Sequence, residues 1–246
     1  MGRTIRRGGL ATPVLLAVAL VLGAGALLVV PTPLGIQVRT LLHIHAPHRL
    51  LPAVTVPHGD GHYTFLQTEP GSHEPVTYSP CEPIRYVVDT SGGPADALRL
   101  ISAAVARISR ASGLAFEYGG TTHDSDFSHR TPSDPVLIGF VAPGVLKDMT
   151  VESNHIGLGG STAFGSTLGR RTYRTGMVAL RADWFRDPRP PRAEKRAVIM
   201  HELGHVVGLG HVDDSDELMD ASNDGQTTLG PGDREGLALL GRGPCT

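Results

Sequence analysis

The stretch His201-Glu202-Leu203-Gly204-His205-Val206-Val207-Gly208-Leu209-Gly210-His211 constrains this chain more than any other feature in it. Residues four apart lie on one face of a helix, so a helix through this region brings the rings of His201 and His205 toward one point. Glu202 follows the first of them and can reach a water at that point without itself being a ligand. A helix continued to His211 would carry that ring to a different face and too far along the axis, so the helix has to stop. Gly208 supplies the stop, because glycine adopts the left-handed conformation that ends many helices. Three neutral imidazoles leave the fourth position of a tetrahedral zinc ion open to water, the arrangement of a catalytic site and not of a closed structural one. A lone His-Glu-x-x-His pair occurs freely on amphipathic helices. The added glycine and third histidine bring the chance expectation to on the order of 10⁻⁴, which favours metal ligands over surface histidines.

Around this stretch the pattern predicts a mixed α/β (α+β) domain, with strands and helices interleaved near the start and helices at the end. Ile84 to Val88 is a β-branched and aromatic run that reads as a strand. From Pro94 to Ser112 the residues Ala97, Ile101, Ala104, Val105, Ile108 and Ala111 recur at helical spacing, with Gly113 just past the end. Leu114, Phe116 and Tyr118 alternate as in a strand, and Pro135 to Val141 reads as a strand buried on both faces. A glycine-rich stretch from Gly157 to Gly169 precedes another strand, Met177 to Arg181. Pro190 and Pro191 open a helix reaching about Val207, and Pro231 opens a last one through Leu240. With 40% hydrophobic residues over 246 positions, the chain can bury one sizeable core.

Three segments are expected along the chain. In residues 1–30, Arg3, Arg6 and Arg7 precede an uncharged apolar run from Leu10 to Val30, long enough to cross a hydrocarbon core. The positive flank stays in the cytoplasm, which places the rest outside. The run reads either as an uncleaved single-pass anchor, putting the domain on the outer side of the cell membrane, or as a signal peptide cleaved near Ala24-Gly25-Ala26, giving a secreted protein. Residues 31–80 are rich in Pro, His and Gly without sustained periodicity and read as a linker. Its histidines, His43, His45, His48, His58, His62 and His73, are irregularly spaced and lack an accompanying carboxylate or thiol set, which favours a solvated segment over a metal site. The domain occupies 81–246 and is bracketed by the two cysteines, Cys81 and Cys245. In an exported chain these form one disulfide, the alternative being two free thiols. A net charge of -2 offers no basic face for phosphates, so nucleic acid is not an expected partner.

The stretch from His201 to His211 resembles the extended zinc motif of the metzincin peptidases, and its context is most similar to the matrixin branch. Leu218-Met219-Asp220 fits the methionine turn that lies beneath the metal in that family, and Leu229 to Leu237 resembles the start of its C-terminal helix. The likeness covers about Cys81 to Gly241. It implies a metzincin-like domain with a twisted, mostly parallel sheet, an active-site helix and a C-terminal helix, and an extended peptide adding to an antiparallel edge strand near Ile156 to Gly165. On the residues alone, that glycine-rich region reads equally well as a flexible surface loop. The resemblance further implies a monomeric zinc endopeptidase acting on proteins or peptides, with one zinc ion on His201, His205 and His211 and a water activated by Glu202 as general base. The alternative from another class is a cell-surface binding module that keeps zinc without catalysis. Val212 departs from the small hydroxyl residue usual after the third matrixin histidine, and no tyrosine follows Met219 to act as a further ligand. His123, Asp124, Asp126 and His129 offer ligand chemistry for zinc or calcium but read more simply as an exposed polar loop. Asp213, Asp214, Asp216 and Glu217 likewise read as a solvated acidic turn with calcium as the alternative.

Overall fold

Val136–Val141, strand β3, is buried at every position and forms the middle of the sheet. Side chains alternate along a strand, so its residues enter two different clusters. Val136, Ile138 and Phe140 join the core that the helices cover, whereas Leu137 and Val141 pack with Phe127, Met149 and Ala179 on the opposite face. In this computed structural model, which describes residues 47–57, 59–150, 155–165, 169–222 and 225–245, five strands are ordered β2-β1-β3-β5-β4. Here β1 is Ile84–Asp89, β2 Phe116–Thr121, β4 Gly157–Phe164 and β5 Thr172–Arg181. The pairs β1 with β2, β1 with β3 and β3 with β5 are parallel. Only β4 runs antiparallel, against β5, and it lies at the edge of the sheet. The glycine-rich region is therefore a strand, paired from Gly157 with Leu180 to Phe164 with Thr172.

Two parallel neighbours need a crossover, and α1 (Ala97–Ser112) supplies it between β1 and β2. Ala97, Ile101, Ala104, Val105 and Ile108 are buried as the helical spacing predicts, Leu100 joins them, and Ala111 is only half-buried. Beyond β5 come the short α2 (Ala182–Arg186), then α3 (Arg192–Val207) and α4 (Pro231–Leu240). Helix α3 packs against α1, β4 and β5, and α4 against α1 and α3. Almost all of α3 from Ala197 onward is buried, which explains why its apolar residues show no clear one-sided stripe.

Residues 62–80 carry more structure than their lack of periodicity predicts. Val76 and Tyr78 are buried, and single bridges join Phe65 to Leu209, Thr68 to Pro75 and Thr77 to Thr172. Most of these partners are far away in sequence, so they leave no local period to read. The apolar run from Leu10 to Val30 lies outside the described residues, among which no helix is long and apolar enough to cross a membrane.

Cys81 and Cys245 form a disulfide, with their Cα atoms 5.3 Å apart. The bridge ties the residues before β1 to those after α4. Closing a loop of 164 residues removes denatured-state entropy worth about 5 kcal/mol by chain-entropy reasoning. Serine at both positions is therefore expected to lower Tm by about 10 °C or more in a thermal melt. Unreduced peptide mapping should link the two segments, and two free thiols in exported protein would refute the bridge.

Candidate metal centre

Helix α3 delivers His201, Glu202 and His205 from its last two turns. It stops at Gly208, whose φ of 124° is closed to most residues with a side chain. The N–H groups of Gly208 and Leu209 both donate to the Gly204 carbonyl, each at 2.9 Å. The chain then turns back against residues 64–66. Leu66 N–H donates to Gly208 O at 2.9 Å, and Gly210 N–H to Thr64 O at 2.8 Å. The Thr64 hydroxyl donates to His211 O at 2.8 Å, so this upstream segment holds the loop that carries the third histidine.

The three Nε2 atoms converge, with separations of 3.2 Å for His201 to His205 and 3.0 Å from His211 to each. His201 Nδ1 donates to Leu218 O at 2.7 Å and His205 Nδ1 to Leu209 O at 2.8 Å. A carbonyl can only accept, so in these neutral rings the proton is on Nδ1 and the Nε2 lone pair faces the centre. Two lone pairs 3.2 Å apart with no proton between them repel unless a cation lies among them. Nitrogen ligands of one tetrahedral zinc ion sit about 3.3 Å from each other, close to the spacing seen. The donor set therefore fits a zinc-sized ion. Burial holds all three imidazoles below their usual pKa, His205 at about 3 with the neighbouring His201 adding to the effect, so the rings stay neutral near pH 7. Among the described residues, this is the one group of three or more side chains placed to share a metal.

Glu202 lies beside the histidines, buried and without an ion pair among the described residues. Burial alone pushes its carboxyl up to about 8, and a cation nearby acts in the opposite direction. It faces β4 closely: a Cβ on Gly157 would come within 2.5 Å of Glu202 Oε1. Ser161 on β4 donates from Oγ to Val206 O at 2.7 Å and meets the Tyr78 hydroxyl at 2.7 Å, which pins the edge strand to the end of α3. Between β4 and α3 runs a cleft of about 290 Å³, lined by His155, Ile156, Leu158 and Val198 as well as the histidines and Glu202.

The floor of the site is the turn at Leu218 and Met219. Met219 is buried directly under α3, and a Cβ on Gly204 would meet its Sδ at 2.6 Å. The same turn presents the Leu218 carbonyl to His201. Its own N–H groups are taken by the Asp233 carboxylate, from Leu218 at 2.6 Å and Met219 at 3.2 Å. Asp233 also accepts from Gly230 N–H at 2.7 Å, and Glu217 from the N–H groups of Gly232 and Asp233 at 2.7 and 2.8 Å. Both carboxylates thus cap the first turn of α4, where exposed amides and the helix dipole favour negative charge. Burial nevertheless raises the Asp233 carboxyl to about 6 against the pull of those donors.

Glu217 corrects the expectation of a solvated acidic turn, because its side chain is buried and consumed in capping α4. Asp214 in the same turn instead meets His62 Nδ1 at 2.7 Å. In the other acidic loop, Asp124 pairs with Arg130 at 2.6 Å, and Asp126 accepts from the N–H groups of Ser128 and His129. These carboxylates are spent on the loop's own fold. A signal for Asp233 was present, since it sits three residues into a helix opened by Gly230-Pro231, a position from which an acid reaches back to the cap. Thr64, Phe65 and His62 had none, lying in a stretch without periodicity.

No family model matches this chain, and no curated protein matches it either. Among solved structures, the crystal structure of metalloproteinase-II from Bacteroides fragilis is similar at 14% identity and a TM-score of 0.30. The match covers 64% of this chain and 51% of that one, so the chain spans about half the length of the solved protein.

Proposed function

We propose that this chain is a zinc-dependent endopeptidase of the metzincin kind, closest to the matrixin branch, with His201, His205 and His211 as ligands and Glu202 as the general acid and base. The observation that carries this reading is the convergence of three Nε2 atoms at 3.0–3.2 Å beside a buried carboxylate that no cation among the described residues neutralises. The methionine turn under Gly204 and the antiparallel edge strand over Glu202 support it as well. Zinc suits three imidazoles with an open position, and when bound it would supply Lewis acidity toward a carbonyl oxygen and a water.

The remaining chemistry belongs to the chain. An extended substrate lies along the exposed edge of β4, where backbone hydrogen bonds accept many sequences. Glu202 takes a proton from the attacking water at a carboxylate oxygen and returns it to the departing amine, so no covalent intermediate with the protein is needed. His201 and His205 keep their orientation through the Leu218 and Leu209 carbonyls, and Gly157 leaves room for the Glu202 carboxyl to remain beside the reacting bond. The arginine-flanked run from Leu10 to Val30 supports a reading in which this activity lies outside the cytoplasm, which suits the disulfide.

Purified protein incubated with a chelator is expected to lose cleavage of a quenched peptide, and stoichiometric zinc to restore it. Activity that survives complete metal removal, verified by elemental analysis, would defeat the reading.

A further inference from the structure

The cleft continues from the histidines toward the N-terminal end of α3, past Val198 to Glu194. Positions 194, 198, 201 and 205 recur at helical spacing and so share one face of α3. Exposure rises along that face, from buried His205, His201 and Val198 to half-buried Glu194. Ile156, Leu158 and Val198 make the walls apolar. Among the described lining residues there are two carboxylates, Glu194 and Glu202, and no lysine or arginine. Glu202 is committed to the reaction in the reading above. Glu194 has no ion pair or hydrogen bond among the described residues.

We propose that Glu194 is a specificity-determining residue that selects a lysine or arginine side chain of the bound peptide, close to the scissile bond. This rests on the peptidase reading and names its substrate class. A long cationic side chain matches both parts of the channel, because its methylenes can lie on Ile156, Leu158 and Val198 while its head reaches the carboxylate. Glu194 sits at the more open end, where the ion pair escapes the full cost of removing two charges from water. It lies two helical turns before His201, about 10 Å along the axis, so it meets a side chain beside the reacting bond and not the bond itself. Acidic side chains meet repulsion from Glu194 and no compensating cation among the described lining residues.

The test uses the zinc-loaded full chain and quenched peptides varied over three positions on each side of the scissile bond. Lysine and arginine are expected to exceed leucine in kcat/KM by about tenfold at one of these positions, with glutamate poorest there. Glu194→Gln should cut the lysine-to-leucine ratio by about tenfold, and Glu194→Lys should turn the preference toward glutamate. Equal ratios in the wild type and Glu194→Gln would overturn the assignment. A second arm needs no turnover: fluorescence anisotropy of labelled lysine and leucine peptides on Glu202→Ala protein, with Glu194 present or replaced by glutamine. Selective binding of the lysine peptide that vanishes with Glu194→Gln supports the assignment even if no protein cleaves anything, in which case the peptidase reading alone fails. Binding blind to charge, or no binding of either peptide, overturns it.

Discussion

Glu202→Ala is expected to fold, to take up about one zinc ion per chain, and to cleave peptides roughly 10²–10⁴-fold more slowly than the wild type. The expectation follows from the different positions of neighbours on α3. The rings of His201 and His205 point their Nε2 atoms to a common centre, while the Glu202 carboxyl lies toward Gly157 and the cleft. Removing the carboxyl deletes the only described acid beside that centre that the fold has not already engaged. It leaves the three imidazoles in place, with the carbonyl partners of His201 and His205. The fold should tolerate the change, because a buried carboxyl without an ion pair is a burden on stability and not a support. Near-normal cleavage by this variant would defeat the proposed mechanism. Zinc retained by both wild type and variant with no cleavage by either would instead favour the rival reading, a zinc-containing binding module that has no use for an acid at this place.

His205→Ala and His211→Ala should fail by the other route, losing zinc before they lose chemistry. Deleting one of three protein ligands is expected to weaken zinc affinity by about 100-fold or more, so dialysed protein should carry far less than one ion per chain. His205 is buried and held by Leu209 O, so its loss also opens a gap at the end of α3. His211 is exposed and stands outside the helix, and its replacement tests the ligand set with less disturbance of packing. Elemental analysis beside a quenched-peptide assay distinguishes these variants from Glu202→Ala. Unchanged zinc in His211→Ala would reduce the site to two histidines and sink the extended motif.

The parts of the fold legible beforehand are those with a local period. Helix α1 was readable because its buried residues recur every three or four positions, and β3 because an unbroken apolar run of its length suits a strand covered on both faces. Strand β5 begins at Thr172, five residues before the run that suggested it, since its first half pairs with β4 and is not purely apolar. Short α2 follows β5 without a break and had no separate signal. The glycine-rich edge was ambiguous for a physical reason: glycines carry no side-chain alternation, and only pairing with β5 makes Gly157–Phe164 a strand.

At the candidate centre, the spacing of His201, Glu202, His205, Gly208 and His211 by itself determined which side chains could meet, because helical periodicity and a glycine stop act within eleven consecutive residues. Tertiary structure decided how they are held. Leu218 O orients His201, Asp233 holds the turn that offers that carbonyl, Glu217 caps α4 instead of facing water, and Thr64 fixes the His211 loop from far upstream. Each of these contacts joins residues more than ten positions apart, and their hydrogen-bonding groups acquire partners only when packing has excluded water from them.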